Sequence, residues 1–144
     1  MLNPGDYPGT YKLVSGELCL DFVNTVSWRG TERHHDWLGD YSNLALWGQV
    51  SSLLTEAECR TLIETVKANP EDAERALQKA HQMRAALNTL FNRVCKGEAI
   101  PPHALQLLNA FLPESLVHLR VGLQDGQAAW TWSQRPFELE RVLW

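Results

Sequence analysis

The residues with the clearest chemical potential lie in the stretch 16–26, where Asp21, Asn24 and Thr25 fall close together. Read as a helix, this stretch gathers those polar side chains on one side and presents an apolar stripe on another. The stripe consists of Cys19, Phe22, Val23 and Val26. A strand is the alternative for the alternating residues 18–22, but the residues that follow break a period of two. Carboxylate, amide and hydroxyl groups suit the binding of a small ligand. Asp21 could also act as a general acid or base, although no partner group for it is visible.

One cation interrupts an apolar helix face later in the chain. Positions 77, 80, 87 and 91 are Leu, Ala, Leu and Phe at helical spacing, and Arg84 stands in the middle of them. Because a guanidinium stays charged, a buried Arg84 requires a carboxylate, carbonyl groups or an anionic ligand beside it. The alternative is that its stem packs on the core while its head reaches water. Asp21 is the partner considered for a paired Arg84.

The pair of Asp21 and Arg84 has two interpretations. It is either a structural ion pair or one wall of a ligand site that also contains Asn24, Thr25 and Arg29. Ligand pockets combine a few convergent polar groups with apolar walls. Candidates for the aromatic walls are Trp28, Trp47 and Trp130, and Trp47 is alternatively a core residue.

Other chemistries find little support in the sequence. It contains no Gly-x-Ser-x-Gly elbow and no glycine-rich phosphate loop. Cys19, Cys59 and Cys95 are too widely spaced for a metal knuckle and odd in number for a disulfide framework. His34 and His35 are adjacent and cannot face the same side of a regular element, so a solvated loop is favoured there over a metal site. We expect no catalytic residue, no metal and no cofactor.

The bulk composition describes a small acidic protein. The chain has 144 residues, 44% of them hydrophobic, a formal net charge of -4 and an isoelectric point near 5.7. This length suits one domain, and the acidic balance argues against direct binding of nucleic acid. No run of apolar residues is long enough to span a membrane, so we expect a cytoplasmic protein without a membrane partner.

Helical periodicity dominates residues 16–112. The stretch 16–26 forms the first helix, and apolar residues at positions 44, 47 and 50 predict a short second one. Thr55 and Glu58 have the spacing of a capping box, which starts a third helix.

The longest predicted helix runs from Pro70 to Lys96. Proline suits the first helical position, and Gly97 suits a stop in the left-handed conformation. A further helix begins at residues 101–102 and is expected to end before Pro113.

The pattern changes near the C-terminus. Residues 116–133 alternate in polarity around Asp125-Gly126, which predicts a β-hairpin whose Trp side packs on the helices. Residues 136–144 read as a helix that stops at its second turn, which indicates a continuation of the chain or a partner at this end. The predicted fold is therefore mainly α (α+β). One domain, 1–144, has an extended lead-in over 1–15, about five to six helices and one C-terminal hairpin packed on them.

Several of these motifs together resemble a known family. Gly-Glu-Leu-Cys-Leu-Asp-Phe-Val-Asn-Thr-Val at 16–26, followed by Arg29, is similar to the core of the ABATE domain. The other matching motifs follow in the same order. They are Asp36-x-Leu38, Tyr41-x-x-Leu44, Trp47 and Met83-Arg84.

The resemblance carries expectations about function. The ABATE domain is the N-terminal part of bacterial CGNR zinc finger proteins, which are proposed to be stress-induced transcription regulators. It implies a helical sensor domain for an unknown small molecule, with zinc and DNA contacts confined to a zinc finger. No Cys-x-x-Cys or Cys-Gly-Asn-Arg element occurs here, so zinc is expected only with that missing finger. The residues assigned to ligand binding are Asp21, Asn24, Thr25, Arg29, Trp47 and Arg84.

Two alternatives to a sensor domain remain from the sequence. One is a small enzyme that uses Asp21 as acid or base. The other is an interaction module that docks through the C-terminal helix, as a homodimer or with another partner.

Overall fold

The computed structural model describes residues 13–133 and 138–144. In the described ranges the chain forms five α-helices, two short antiparallel hairpins and one 3-10 helix, here called the C-terminal turn. In chain order the elements are α1 Leu18–Val23, β1 Val26–Ser27, β2 His35–Asp36, α2 Tyr41–Val50, α3 Glu56–Ala68, α4 Pro70–Lys96, α5 Pro102–Leu116, β3 Leu119–Gln124, β4 Gln127–Trp132 and the C-terminal turn Leu139–Leu143. The predicted class, mainly α with some β, is confirmed.

The helices that carry strong local signals begin and end as predicted. Thr55 accepts the backbone N–H of Glu58, and Glu58 accepts the N–H of Thr55, so the capping box is complete. Helix α4 starts at Pro70 and ends at Gly97, which takes the left-handed conformation with φ of 64°. These ends need only neighbouring residues, which is why the sequence locates them.

Helix α1 is shorter than the predicted 16–26. It ends at Val23, and Thr25 donates both its hydroxyl and its amide to the carbonyl of Phe22. Thr and Asn side chains compete with helical hydrogen bonds in this way. Val26 is buried, as predicted, but it lies in β1 and pairs with Asp36. Cys19, predicted for the apolar stripe, is exposed.

Helix α5 is longer than predicted, since it continues through Pro113 to Leu116. Proline removes one backbone donor from a helix. Pro113 lies in the last part of α5 on an exposed surface, so the cost of that lost bond is confined to the end of the helix.

The hydrophobic core surrounds α2, which inserts between α3, α4 and the C-terminal turn. The three largest fully buried side chains are Leu38, Leu44 and Leu62. Gly48 lets the C-terminal turn approach α2 closely, because a Cβ there would lie 3.1 Å from Val142. The other buried members of the core are Phe22, Tyr41, Ala45, Trp47, Leu54, Cys59, Ala73, Ala76, Leu77 and Ala80.

The C-terminal segment differs from the predicted α-helix. Residues 139–143 form a 3-10 helix, and the predicted start at Pro136 lies outside the described residues. Val142 is 5% exposed, and the hydroxyl of Tyr41 donates a 2.6 Å hydrogen bond to the carbonyl of Leu139. The segment therefore packs into the domain, and docking of a partner there stays a prediction.

The C-terminal hairpin is confirmed, with Asp125 and Gly126 at positive φ in its tight turn. The expectation that its Trp side packs on the helices is wrong for the part of the hairpin near the turn. Val121 and Trp130 form a cross-strand pair, and they are 68% and 70% exposed. Alternation fixes which side chains share a face, but it does not fix which face meets the core. Trp132, at the base of the hairpin, turns toward the helices as described below.

Candidate functional site

Arg84 lies at the centre of a group of polar residues, here called the polar cluster: Thr25, Arg29, Asp36, His81 and Arg84. The residue is 5% exposed, and its guanidinium donates to Thr25 Oγ1 at 2.9 Å. It also donates to both carboxylate oxygens of Asp36, at 2.7 Å from Nη1 to Oδ1. The prediction of a paired Arg84 is confirmed, but its partner is Asp36 and not Asp21.

The electrostatics of the polar cluster favour the charged pair. Burial acts to raise the pKa of Asp36, but hydrogen bonds from Arg84 and from the Leu38 amide, with the charges of Arg84 and His81, hold it below the ordinary value. Arg29 donates to the carbonyl of Val23, and burial together with the charge of Arg84 lowers its pKa. His81 donates to the carbonyl of Leu38 at 2.9 Å. The cluster thus joins the α1–β1 turn, β2 and α4.

Asp21 lies apart from this arrangement. Its Oδ1 accepts the backbone N–H groups of Val14 and Ser15, each at 3.0 Å, and the residue is 5% exposed. A buried carboxylate that accepts two amide donors fixes the segment before α1 onto the helix. Nothing in this geometry favours an acid or base role for Asp21. Asn24 is exposed at the end of α1.

Asp36 is the residue that sequence reasoning missed: it was noted in the family motif but not among the ligand-binding residues, and it follows His34 and His35, for which a solvated loop was favoured. It lies in β2, whose two residues pair with β1. A strand of two residues has no periodicity to detect. The available signal was indirect: a buried Arg84 needed a carboxylate, and Asp36 stands two residues before the apolar Leu38.

An apolar cavity lies between α1, α2, α4, the base of the hairpin and the C-terminal turn. Its volume is about 450 Å³, within the range of small-molecule sites. Of the residues predicted for ligand binding, only Trp47 lines it. The lining residues are Glu17, Leu18, Cys19, Phe22, Trp47, Leu53, Met83, Leu87, Trp132, Val142, Leu143 and Trp144.

The walls of this apolar cavity are aromatic and aliphatic. The rings of Phe22 and Trp47 meet at 5.0 Å between centroids and form one wall. Trp132 and Trp144 also line the cavity. The predicted aromatic walls Trp28 and Trp130 do not take part, and they are 63% and 70% exposed.

Metal and membrane sites receive no support from the described residues. In ranges 13–133 and 138–144, no three His, Cys, Asp or Glu side chains are grouped so that they could hold a metal ion. Within the same ranges, none of the helices combines the length and the apolar character needed to cross a bilayer.

The described residues form a mainly helical domain with two small hairpins and an apolar cavity. The chain belongs to the ABATE family, whose model matches residues 16–144 and whose description reads "Putative stress-induced transcription regulator". The family predicted from the motifs is therefore confirmed. Neither a curated protein nor a solved structure matches the chain.

Proposed function

We propose that this chain is the ligand-sensing domain of a stress-related transcription regulator, and that its ligand binds in the apolar cavity. The family supplies the regulatory context. The observation that carries the sensing role is the cavity of about 450 Å³, which has an aromatic wall and side chains from five structural elements. A ligand that contacts all five would change how they are held together, which is what a sensor requires.

The polar cluster is a less suitable ligand site than the cavity, because its central charged groups are already hydrogen bonded to each other. The guanidinium of Arg84 already donates to Thr25 and to both oxygens of Asp36. A ligand that displaced these bonds would have to replace a buried, charge-assisted pair. The apolar cavity offers unfilled volume at no such cost.

A route for signalling follows from the residues that line the cavity. Trp132 belongs to β4 and Leu143 ends the C-terminal turn, and both residues line the cavity. A ligand held between these residues and Met83 of α4 would tie the hairpin and the C-terminal turn to the helices. We propose that DNA contacts are made outside this acidic domain, whose net charge is -4.

The test uses Nile red, a neutral dye whose fluorescence rises in apolar surroundings. Cys19 lines the cavity and is exposed, whereas Cys95 is exposed near the end of α4 and does not line it. Cys19→Trp fills part of the cavity from its rim, and Cys95→Trp is the matched control. We expect saturable binding by the wild type and by Cys95→Trp, and a loss of at least about tenfold in affinity for Cys19→Trp.

The natural thiols give an independent reading of the same binding event. Bound dye should slow alkylation of Cys19 and leave the rate at Cys95 unchanged. Equal affinity of the two Trp variants, together with unprotected Cys19, would place the dye elsewhere and contradict the proposal. A ligand found by a thermal-shift screen should stabilise the fold by about 2.7 kcal/mol at a hundredfold excess over Kd.

A further inference from the structure

The described side chains that line the apolar cavity include a negative charge and no positive charge. Among residues 13–133 and 138–144, the twelve that line it include no Lys, Arg or His, and Glu17 is the one with a carboxylate side chain. An anionic ligand would lose its hydration there without meeting a cation. A ligand with a positive group would meet a carboxylate at the rim.

The carboxylate of Glu17 is available for such a contact. Its backbone N–H and carbonyl are hydrogen bonded, to Ser15 and within α1, but its side chain makes no hydrogen bond or ion pair with any residue in 13–133 or 138–144. The residue is exposed, so its carboxylate is accessible to a ligand. It is the N-cap residue of α1, but its side chain makes no capping hydrogen bond.

The aromatic walls add a second preference for positive charge. The face of an indole ring attracts a cation through its quadrupole. Trp144 already shows this within the protein, because the guanidinium carbon of Arg141 lies 5.2 Å from its ring centroid. Trp132 is 38% exposed and lines the cavity, so its ring can contact a ligand.

We infer that the ligand of this domain is an organic cation, with a flat apolar body inside the cavity and its positive group between Glu17 and Trp132. Quaternary ammonium and aromatic ring-nitrogen cations belong to this class. The body would contact Phe22, Trp47 and the polarisable thioether of Met83. This inference rests on the proposed function and adds the charge of the ligand to it.

The experiment compares three probes that share one ring system and differ in charge. N-methylacridinium is a cation, acridine is neutral at mildly alkaline pH, and acridinecarboxylate is an anion. We expect N-methylacridinium to bind about tenfold more tightly than acridine, from one carboxylate contact and one cation–π contact at a partly exposed site. The anion should bind more weakly than either, and the advantage of the cation should shrink as salt is added.

Two variants test whether Glu17 is responsible. Glu17→Gln keeps the shape of the side chain and removes its charge, and should bring the affinities for N-methylacridinium and acridine within about threefold of each other. Glu32→Gln changes an exposed carboxylate that does not line the cavity, and should leave the tenfold preference intact. Both positions are exposed, so both variants should fold, which circular dichroism would check.

The outcomes separate this inference from the proposed function. If acridine and N-methylacridinium bind equally, or if Glu17→Gln keeps the preference for the cation, the charge inference is overturned while binding in the cavity stands. If the cavity-filling Cys19→Trp variant binds all three probes as well as the wild type does, the proposed function fails, and the inference fails with it.

Discussion

The polar cluster and the apolar cavity both take residues from α4, yet the cluster has its polar groups paired while the cavity leaves volume unfilled. Arg84 of α4 faces the cluster, while Met83, the residue before it, lines the cavity. In the cluster, charged groups meet one another at hydrogen-bond distance. In the cavity, apolar side chains leave about 450 Å³ between them.

Residues with strong chemical potential therefore need not line the proposed binding site. A guanidinium cannot lose its charge, so burial forces it to find partners within the fold. Once Arg84 holds Asp36 and Thr25, its binding capacity is used for stability. The cavity has few polar groups, and so it can exchange solvent for a ligand at low cost.

The largest effect should come from breaking the polar cluster. Asp36→Asn leaves the charge of Arg84 buried without a counter-charge, and we expect the free energy of unfolding to fall by about 3 kcal/mol. The matched control is Asp72→Asn, in an ion pair with Arg75 whose side chains are 51% and 67% exposed. That change should cost less than about 1 kcal/mol. Urea unfolding measures both, and equal losses would show that the cluster is no stronger than a surface pair.

Removal of the Asp21 carboxylate, which holds the segment before α1, should have the next largest effect on stability. Asp21→Ala leaves the amides of Val14 and Ser15 without their acceptor, and should lower the free energy of unfolding by about 2 kcal/mol. Amide hydrogen exchange should accelerate at these two residues. The exposed Asn24→Ala change should stay within about 0.5 kcal/mol. Dye binding lost in Asp21→Ala at unchanged stability would return Asp21 to the ligand site.

A smaller loss should follow when the cavity is enlarged. Leu87 lines the cavity and is only partly buried, so Leu87→Ala removes few contacts and should cost about 1 kcal/mol. Leu44 is fully buried, and Leu44→Ala should cost about 3 kcal/mol or more. Thermal unfolding compares the two, and similar costs would mean that Leu87 lies in closed packing rather than beside open volume.

The smallest effect is a dependence of the free energy of unfolding on pH. The pKa of Asp36 is lowered in the folded protein, so its contribution to stability is complete above the unfolded pKa, which is about 3.9 for an aspartate, and is lost as the pH falls through the folded value. The difference in the free energy of unfolding between the wild type and Asp36→Asn should therefore narrow as the pH falls below the pKa of an ordinary aspartate. Urea titrations at a series of pH values measure it. A constant gap would contradict the assigned ion pair.

Much of the fold could be predicted because its signals are local. The capping box at Thr55, the stop at Gly97 and the turn at Asp125-Gly126 involve neighbouring residues only. The end of α1 was misplaced because residues 25–27 pair with 35–37, a contact that periodicity does not record. The exposed face of Trp130 was misjudged because alternation does not say which face is covered.

The candidate site was less predictable for a physical reason. The need of Arg84 for a partner follows from its charge, but the choice of Asp36 depends on how two short strands place it. The cavity arises where five elements fail to fill the space between them. Among the predicted residues only Trp47 lines it, and the sequence does not show where packing leaves volume.

The central claim is that a ligand binds in the apolar cavity and leaves the polar cluster intact. Met83 is one of two methionines in the chain, the other being Met1, so its methyl group gives an assignable signal in isotope-labelled methyl NMR. The methyl of Thr25 reports on the polar cluster. On addition of Nile red, we expect the Met83 methyl group to contact the dye and to show a large change in chemical shift, while the methyl signal of Thr25 stays unchanged. Ligand contacts at Thr25 with an unshifted Met83 would contradict it.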